Sequence, residues 1–245
     1  MQGQSAHPAA GPGRTGGTGG RPVRLRHGPQ PPHHLLGGAV SIREPGCEDT
    51  LELELPRPAA YPAPVGAVGA WGPAATAGGR FRLLPVEPRR DLALLAGWMN
   101  DPVVDRWWSL AGTQERTAAH LGAQLAGDGR SVPCLGLLDG RPMSYWEVYR
   151  ADLDPLARYY SAAPHDIGLH LLIGTARDRG RGLGAELLRA VSALVLRHHP
   201  RCARIVAEPD VRNAASVAAF RAAGFRKAAE AELPDKRAAI MLRDR

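Results

Sequence analysis

The apolar run Ile167-Gly168-Leu169-His170-Leu171-Leu172-Ile173-Gly174 is followed, four residues later, by Arg179-Gly180-Arg181-Gly182-Leu183-Gly184. A helix-patterned segment starts directly after it, with Leu183, Leu187, Leu188, Val191, Leu194 and Val195 on one stripe. A strand, a basic glycine turn and a helix start make an anion cradle. Backbone N–H groups and the positive end of the helix converge there on a phosphate. Glycine at 180, 182 and 184 allows an approach that a Cβ would prevent. The turn is not a Walker loop, because no Gly-Lys-Ser/Thr follows. It is not a dinucleotide fingerprint either, since Leu187 stands where the third glycine belongs.

The rest of the chain is uneven. Residues 1–43 hold ten Gly, six Pro, four His and five Arg, and no acid. Such a segment buries too little apolar surface to offset its ordering entropy, so residues 1–45 are expected to be a disordered tail. The tail carries five of the seven net positive charges. The basic balance is therefore a property of the tail, and neither nucleic acid nor a membrane is an expected partner. No stretch of 18 apolar residues occurs, and the N-terminus has no secretory pattern. Cys47, Cys134 and Cys202 are odd in number and widely spaced. They fit no zinc site and no disulfide framework, and a reducing cytoplasm is the natural compartment. Cys134 and Cys202 are expected as small core residues.

Residues 46–79 read as a strand, Leu51 to Leu55, and a Pro/Ala/Gly-rich linker with Trp71 as a possible anchor. The compact domain is expected over 80–245. It begins with a strand at 81–86, then a helix at 89–99 that Asn100-Asp101-Pro102 stops, and a helix from Thr113 to about Leu125. A hairpin turns at Asp139-Gly140-Arg141 between strands at 132–138 and 143–149. Strands follow at 166–174 and 203–207, each before a helix (181–198 and 216–223), and two strands close the chain at 225–229 and 238–242. This order specifies an α+β, or mixed α/β, fold with a single mixed, mostly antiparallel sheet flanked by helices.

The spacing Arg179-x-x-Gly182-x-Gly184 resembles the pyrophosphate-binding turn of GNAT acyltransferases. Asn213-Ala214-Ala215-Ser216 to Phe220 and Gly224-Phe225 resembles the second signature of that family. The resemblance implies the GNAT fold and an acyl-CoA co-substrate. Leu172, Ile173, Gly174, Arg179, Gly180, Arg181, Gly182, Leu183, Gly184, Asn213, Ser216 and Phe220 would contact the coenzyme. A narrower resemblance, over about residues 80–243, is to the N-acyltransferases of hydroxamate siderophore assembly. It rests on Trp98-Met99-Asn100-Asp101-Pro102, Trp107-Trp108, Pro142 to Glu147, Asp154 to Tyr160, Asp166 to His170 and Pro234 to Arg237. The desferrioxamine-type members of that branch acylate N-hydroxycadaverine from acetyl- or succinyl-CoA, without a metal. They imply a small hydroxylamine partner. A monomer or a homodimer fits equally.

On pattern alone, a lone histidine in an apolar strand is a structural group. The resemblance makes His170 catalytic, as an imidazole near its ordinary pKa accepting the proton of the attacking nitrogen. Glu208 could orient His170 or a water, bind the substrate amine, or cap the next helix, where Asp210 competes. Trp107, Trp108, Tyr145 and Trp146 could wall a slot for a polymethylene chain or be core. Glu147 could attract a distal ammonium or lie exposed on its strand. Arg150, Arg158, Lys236 and Arg237 are unranked candidates for a succinyl carboxylate or coenzyme phosphates. A backbone N–H near Leu172 is expected to polarise the thioester carbonyl. No Ser or Cys nucleophile is evident, so attack is direct.

Overall fold

The computed structural model describes residues 65–245. The expected tail, Cys47 and the 51–55 strand lie outside the described residues. The chain order is β1 (Ala74–Thr76), β2 (Gly79–Pro85), α1 (Pro88–Met99), α2 (Pro102–Trp108), α3 (Gln114–Leu125), β3 (Ser131–Leu138), β4 (Arg141–Arg150) and β5 (Ile167–Ile173). It continues with α4 (Leu183–His198), β6 (Arg204–Ala207), α5 (Ala214–Ala222), β7 (Arg226–Glu232) and β8 (Arg237–Asp244).

The strands form one eight-stranded sheet in the order β1-β2-β3-β4-β5-β6-β8-β7. Every neighbouring pair is antiparallel except β5–β6. One face packs on the α4 stripe, with Leu187, Leu188, Val191, Leu194 and Val195 in the same apolar cluster as Trp146, Leu169 and Phe220. The other face packs under α1 and α3, where Leu95, Trp98, Met99 and Leu121 meet Tyr145 and Leu172. Both faces are covered, which the sequence reading anticipated.

Two local readings need correction. The 56–79 linker is in part structured. From Val65 onward it packs, with Val65, Val68 and Trp71 buried in the core and β1 paired to β2. Trp71 does anchor it, stacked on His198 at 5.5 Å. Pro102 also does more than stop α1. It occupies the first position of α2, where its missing N–H costs nothing, and Asp101 caps that helix by accepting the Val103 N–H at 2.9 Å. Thr113 stands at the N-cap position of α3 but its side chain makes no cap bond. Cys134 and Cys202 are buried free thiols, as expected.

Candidate active site

The site exists because β5 and β6 part company. They pair only at Ile167↔Ile205 and Gly168↔Val206, while β5 runs on to Ile173. Its opposite edge stays bonded to β4 throughout. Alternation in that ladder is set by the Ala151 N–H to Asp166 O bond (2.9 Å) at one end and Gly174 N–H to Met143 O (2.8 Å) at the other. Residues 168, 170, 172 and 174 therefore turn their N–H groups to β4, and Leu171 and Ile173, beyond the last pairing with β6, turn theirs to the opening. The N–H of Leu172 itself is spent in the ladder. The edge groups beside it, on Leu171 and Ile173, are the ones aimed outward. Gly174 is spent too, and it is covered: a Cβ there would stand 2.1 Å from the Trp98 ring.

The opening is a cavity of about 400 Å3 that collects the end of α2, His120 of α3, Glu147, His170, Glu208, the start of α5 and the β7–β8 turn. At its floor, Glu147 and His170 are direct cross-strand partners. Nδ1 of His170 lies 2.6 Å from Glu147 Oε2, and Nε2 hydrogen-bonds Glu208 Oε1. Ionised carboxylates only accept. Both ring nitrogens must therefore donate, and the ring is an imidazolium. Burial opposes that charge, but Glu208 and Glu147 outweigh it and raise His170 to about 10. Glu208 answers in kind. Burial favours its neutral form, yet His170, Lys236 and the Tyr149 hydroxyl hold it down to about 2. Glu147 is also held low against its burial, by His120 and His170. The neutral imidazole expected from the sequence is thus replaced by a charged ring clamped between two carboxylates.

The clamp has a second layer. Tyr149 donates to Glu208 Oε2 at 2.9 Å, and burial together with Glu208 keeps its hydroxyl protonated. Its ring lies over Gly168, where any Cβ would come within 2.1 Å of it. Glu147 Oε1 faces His120 Nε2 at 2.7 Å and accepts from Gln124 Nε2 (2.7 Å) and the Tyr145 hydroxyl (2.9 Å). Lys236 Nζ stands 3.5 Å from Glu208. Sequence reading missed His120, Gln124 and Tyr149. Period-two alternation was the available signal for Tyr149, since it puts Tyr145, Glu147 and Tyr149 on one face of β4.

That alternation also revises the acceptor wall. Trp107 and Trp108 line the cavity. Tyr145 is fully buried one layer behind, edge-on to Trp108 at 5.6 Å. Trp146 points through the opposite face of the sheet and gives its indole N–H to Ser144 at 2.9 Å, away from the cavity. Glu147 is neither exposed nor free for a distal ammonium. Of the four unranked cations, Lys236 lines the cavity. Arg150 is buried against Asp152 and Arg237 pairs with Glu230. Glu208 does not cap α5; Asn213 does, accepting the Ser216 N–H at 3.1 Å. Asn213, Ser216 and Phe220 all border the cavity.

The glycine turn is built as a cradle. Gly180 and Gly182 have φ of +71° and +78°, and a Cβ on either would meet nothing within 4 Å, so the ground above them is open. The first N–H groups of α4 have no intrahelical partner, and its N-cap Gly182 offers no side chain to cap them. Leu183 and Gly184 form that first turn, and Arg181 is exposed. Arg179 departs from expectation. Its Nε donates to Ile173 O (2.9 Å), and Nη2 to Gly174 O and Asp101 Oδ2 (2.8 Å each). Its guanidinium is committed within the protein. Among the described residues no group of His, Cys, Asp or Glu could hold a metal ion. No helix there is long and apolar enough to cross a membrane.

A mixed sheet splayed between two parallel strands, with an open glycine cradle at the start of the following helix, defines an acetyltransferase domain. Residues 87–233 match the acetyltransferase (GNAT) domain family, and the chain belongs to it. It is 36% identical over 165 residues to N(6)-hydroxylysine O-acetyltransferase of Escherichia coli, across 67% of this chain and 51% of that protein. It is 37% identical over 154 residues to lysine N-acyltransferase MbtK of Mycolicibacterium paratuberculosis, across 63% and 69%. The chain thus matches about half the length of the first relative and about two thirds of the second. Among solved structures, aminoglycoside acetyltransferase AAC(6')-Ib in complex with coenzyme A superposes with a TM-score of 0.61 at 26% identity, covering 67% of this chain and 95% of that one.

Proposed function

We propose that the protein moves an acetyl or succinyl group from acyl-CoA to the hydroxylamine nitrogen of N-hydroxycadaverine, or of a similar N-hydroxylated diamine, in hydroxamate siderophore assembly in the cytoplasm. The observation that carries this is the clamped His170 at the floor of a cavity bounded by the free edge of β5. A thioester carbonyl laid along that edge meets the outward N–H groups of Leu171 and Ile173, which stabilise the oxyanion as it forms. The pyrophosphate sits on residues 180–184. Relatives named for hydroxylysine and for lysine support the amine class, and the solved relative with coenzyme A supports the donor.

The protonation state of the clamp favours a hydroxylamine over an alkylamine. An alkylamine arrives as an ammonium and needs a base before it can attack. A hydroxylamine is far less basic, arrives neutral and attacks unaided. Its reaction releases no net proton, because the N–H proton ends on the coenzyme thiol. We assign Glu208 as the acceptor of that proton and the His170 imidazolium as the donor to the leaving thiolate. Their shared hydrogen bond then restores both. Trp107 and Trp108 flank the polymethylene chain, and Lys236 is the cation available to a succinyl carboxylate.

A substrate matrix tests this reading: N-hydroxycadaverine, N6-hydroxylysine, cadaverine and lysine, each with acetyl- and succinyl-CoA. N-hydroxycadaverine is expected to exceed cadaverine in kcat/KM by at least about a hundredfold, the scale of one proton-transfer contribution. Equal turnover of the two would refute the reading.

A further inference from the structure

The committed guanidinium of Arg179 has a second end. Its acceptor Asp101 is the N-cap of α2, holding the Val103 N–H at 2.9 Å. That seven-residue helix ends in Trp107 and Trp108, which line the acceptor side of the cavity. The other two bonds of Arg179 fix the carbonyls of Ile173 and Gly174, at the end of the strand that feeds the glycine turn. The turn is anchored from below as well. Asp178 is buried and accepts from Arg141 at 2.9 and 3.1 Å, and from the Thr175 hydroxyl. Trp98, from the helix just before Asp101, closes over Gly174, where a Cβ would stand 2.1 Å from its ring. One side chain therefore joins the segment that would receive the pyrophosphate to the segment that walls the acceptor slot.

We propose that Arg179 is a positioning residue and not a phosphate ligand: it transmits the setting of the 180–184 turn to α2, so that a filled turn holds Trp107 and Trp108 in place for the acceptor. The inference rests on the reading that coenzyme A occupies the cradle. Coupling of this kind is reciprocal, so whatever steadies α2 also tightens the turn. A phosphate ligand would leave its guanidinium facing the open ground above Gly180 and Gly182. Here all the acceptors lie within the protein, and an ion pair at 2.8 Å with one-fifth to one-quarter of each side chain exposed is partly shielded from solvent.

Amide hydrogen exchange on the full chain, with and without coenzyme A, tests this. Asp101→Asn keeps an oxygen for the Val103 N–H and removes the charge that Arg179 holds. In the wild type, coenzyme A should slow exchange both at 180–186 and across 102–110, the latter by about tenfold, mid-range for coupling between sites. In D101N the protection at 180–186 should persist and the protection at 102–110 should vanish. Steady-state measurements should then show a raised acceptor KM, while calorimetry without acceptor finds coenzyme A binding close to wild type. Should D101N fold poorly, Arg179→Gln serves with the same readouts. The strut is overturned if α2 ignores coenzyme A in the wild type, if D101N behaves as wild type, or if Arg179→Gln loses coenzyme affinity at an unaltered acceptor KM. Absence of protection at 180–186 in the wild type would instead bring down the proposed function along with it.

Discussion

The clamp around His170 sits midway along β5, the glycine turn at 179–184 follows that strand's end, and the two are made in opposite ways. The turn is contiguous. It is built of backbone, open to solvent, and defined by what its residues lack: two glycines at positive φ and a helix N-cap without a side chain. The clamp draws Glu147 and His170 from two strands and Glu208 from the residue just after a third, with Tyr149 and His120 behind them. It is mostly buried and defined by charge. A site for a part that many coenzymes share can be written in one short segment. A site that handles protons needs several elements, because burial, opposed charges and hydrogen bonds must converge to move a pKa that far.

Substitutions can pull these two regions apart. The largest effect is expected at the clamp. Glu208→Gln should lower kcat/KM by about a hundred- to ten-thousandfold, while calorimetry finds coenzyme A binding within about twofold of wild type. Next comes Gly168→Ala. Its Cβ would collide with the Tyr149 ring and withdraw the hydroxyl from Glu208, with an overpacking cost of about 1–3 kcal/mol seen in denaturant melts and a fall in kcat at constant coenzyme affinity. Gly182→Ala should do the converse, weakening coenzyme A binding and costing about 1–2 kcal/mol for a left-handed non-glycine residue, with the pH dependence of turnover unchanged. Equal loss of coenzyme affinity in Glu208→Gln and Gly182→Ala would erase the distinction between the two regions.

A subtler test uses pH. The raised pKa of His170 means that its contribution to stability is whole below its ordinary value and is lost as pH climbs toward about 10. The lowered pKa of Glu208 means that its contribution is whole above the ordinary carboxylate range and is lost as pH falls toward about 2. Melting temperature should therefore hold a plateau between those flanks, and His170→Gln should flatten both. The smallest effect on turnover is expected for Trp146→Phe. It leaves a small cavity and sacrifices one buried hydrogen bond, about 1–3 kcal/mol of stability, and should leave the kinetics alone, because that indole lies on the far side of the sheet.

What was legible in the sequence follows the same division. The turn, the Asn213–Phe225 segment and the apolar stripe of α4 are each carried by neighbours in the chain, and each was found at its place. His170 and Glu208 stood out one by one, yet nothing local says that Glu147 pairs with His170. That depends on the β4–β5 register across a long connection. The wrong protonation state followed from it, since a histidine read alone has no carboxylates beside it. Trp146 was misplaced for lack of applying the strand's own alternation. α2 was missed because Pro102 was read only as an end. His120 and Gln124 reach Glu147 from a helix more than twenty residues upstream, a distance that no spacing rule spans.

The parting of β5 from β6 carries one more consequence. From Leu169 to Ile173 the sheet has an unfinished seam in its interior, and such seams invite strands from other molecules. A ligand lying along it works as a plug as well as a reactant. An occupant that binds the folded state at a hundred times its Kd adds about 2.7 kcal/mol of stability. It also conceals one stretch of backbone through which two copies could join. For this protein the shelf life of the empty form and the supply of its co-substrate are one question of colloid chemistry.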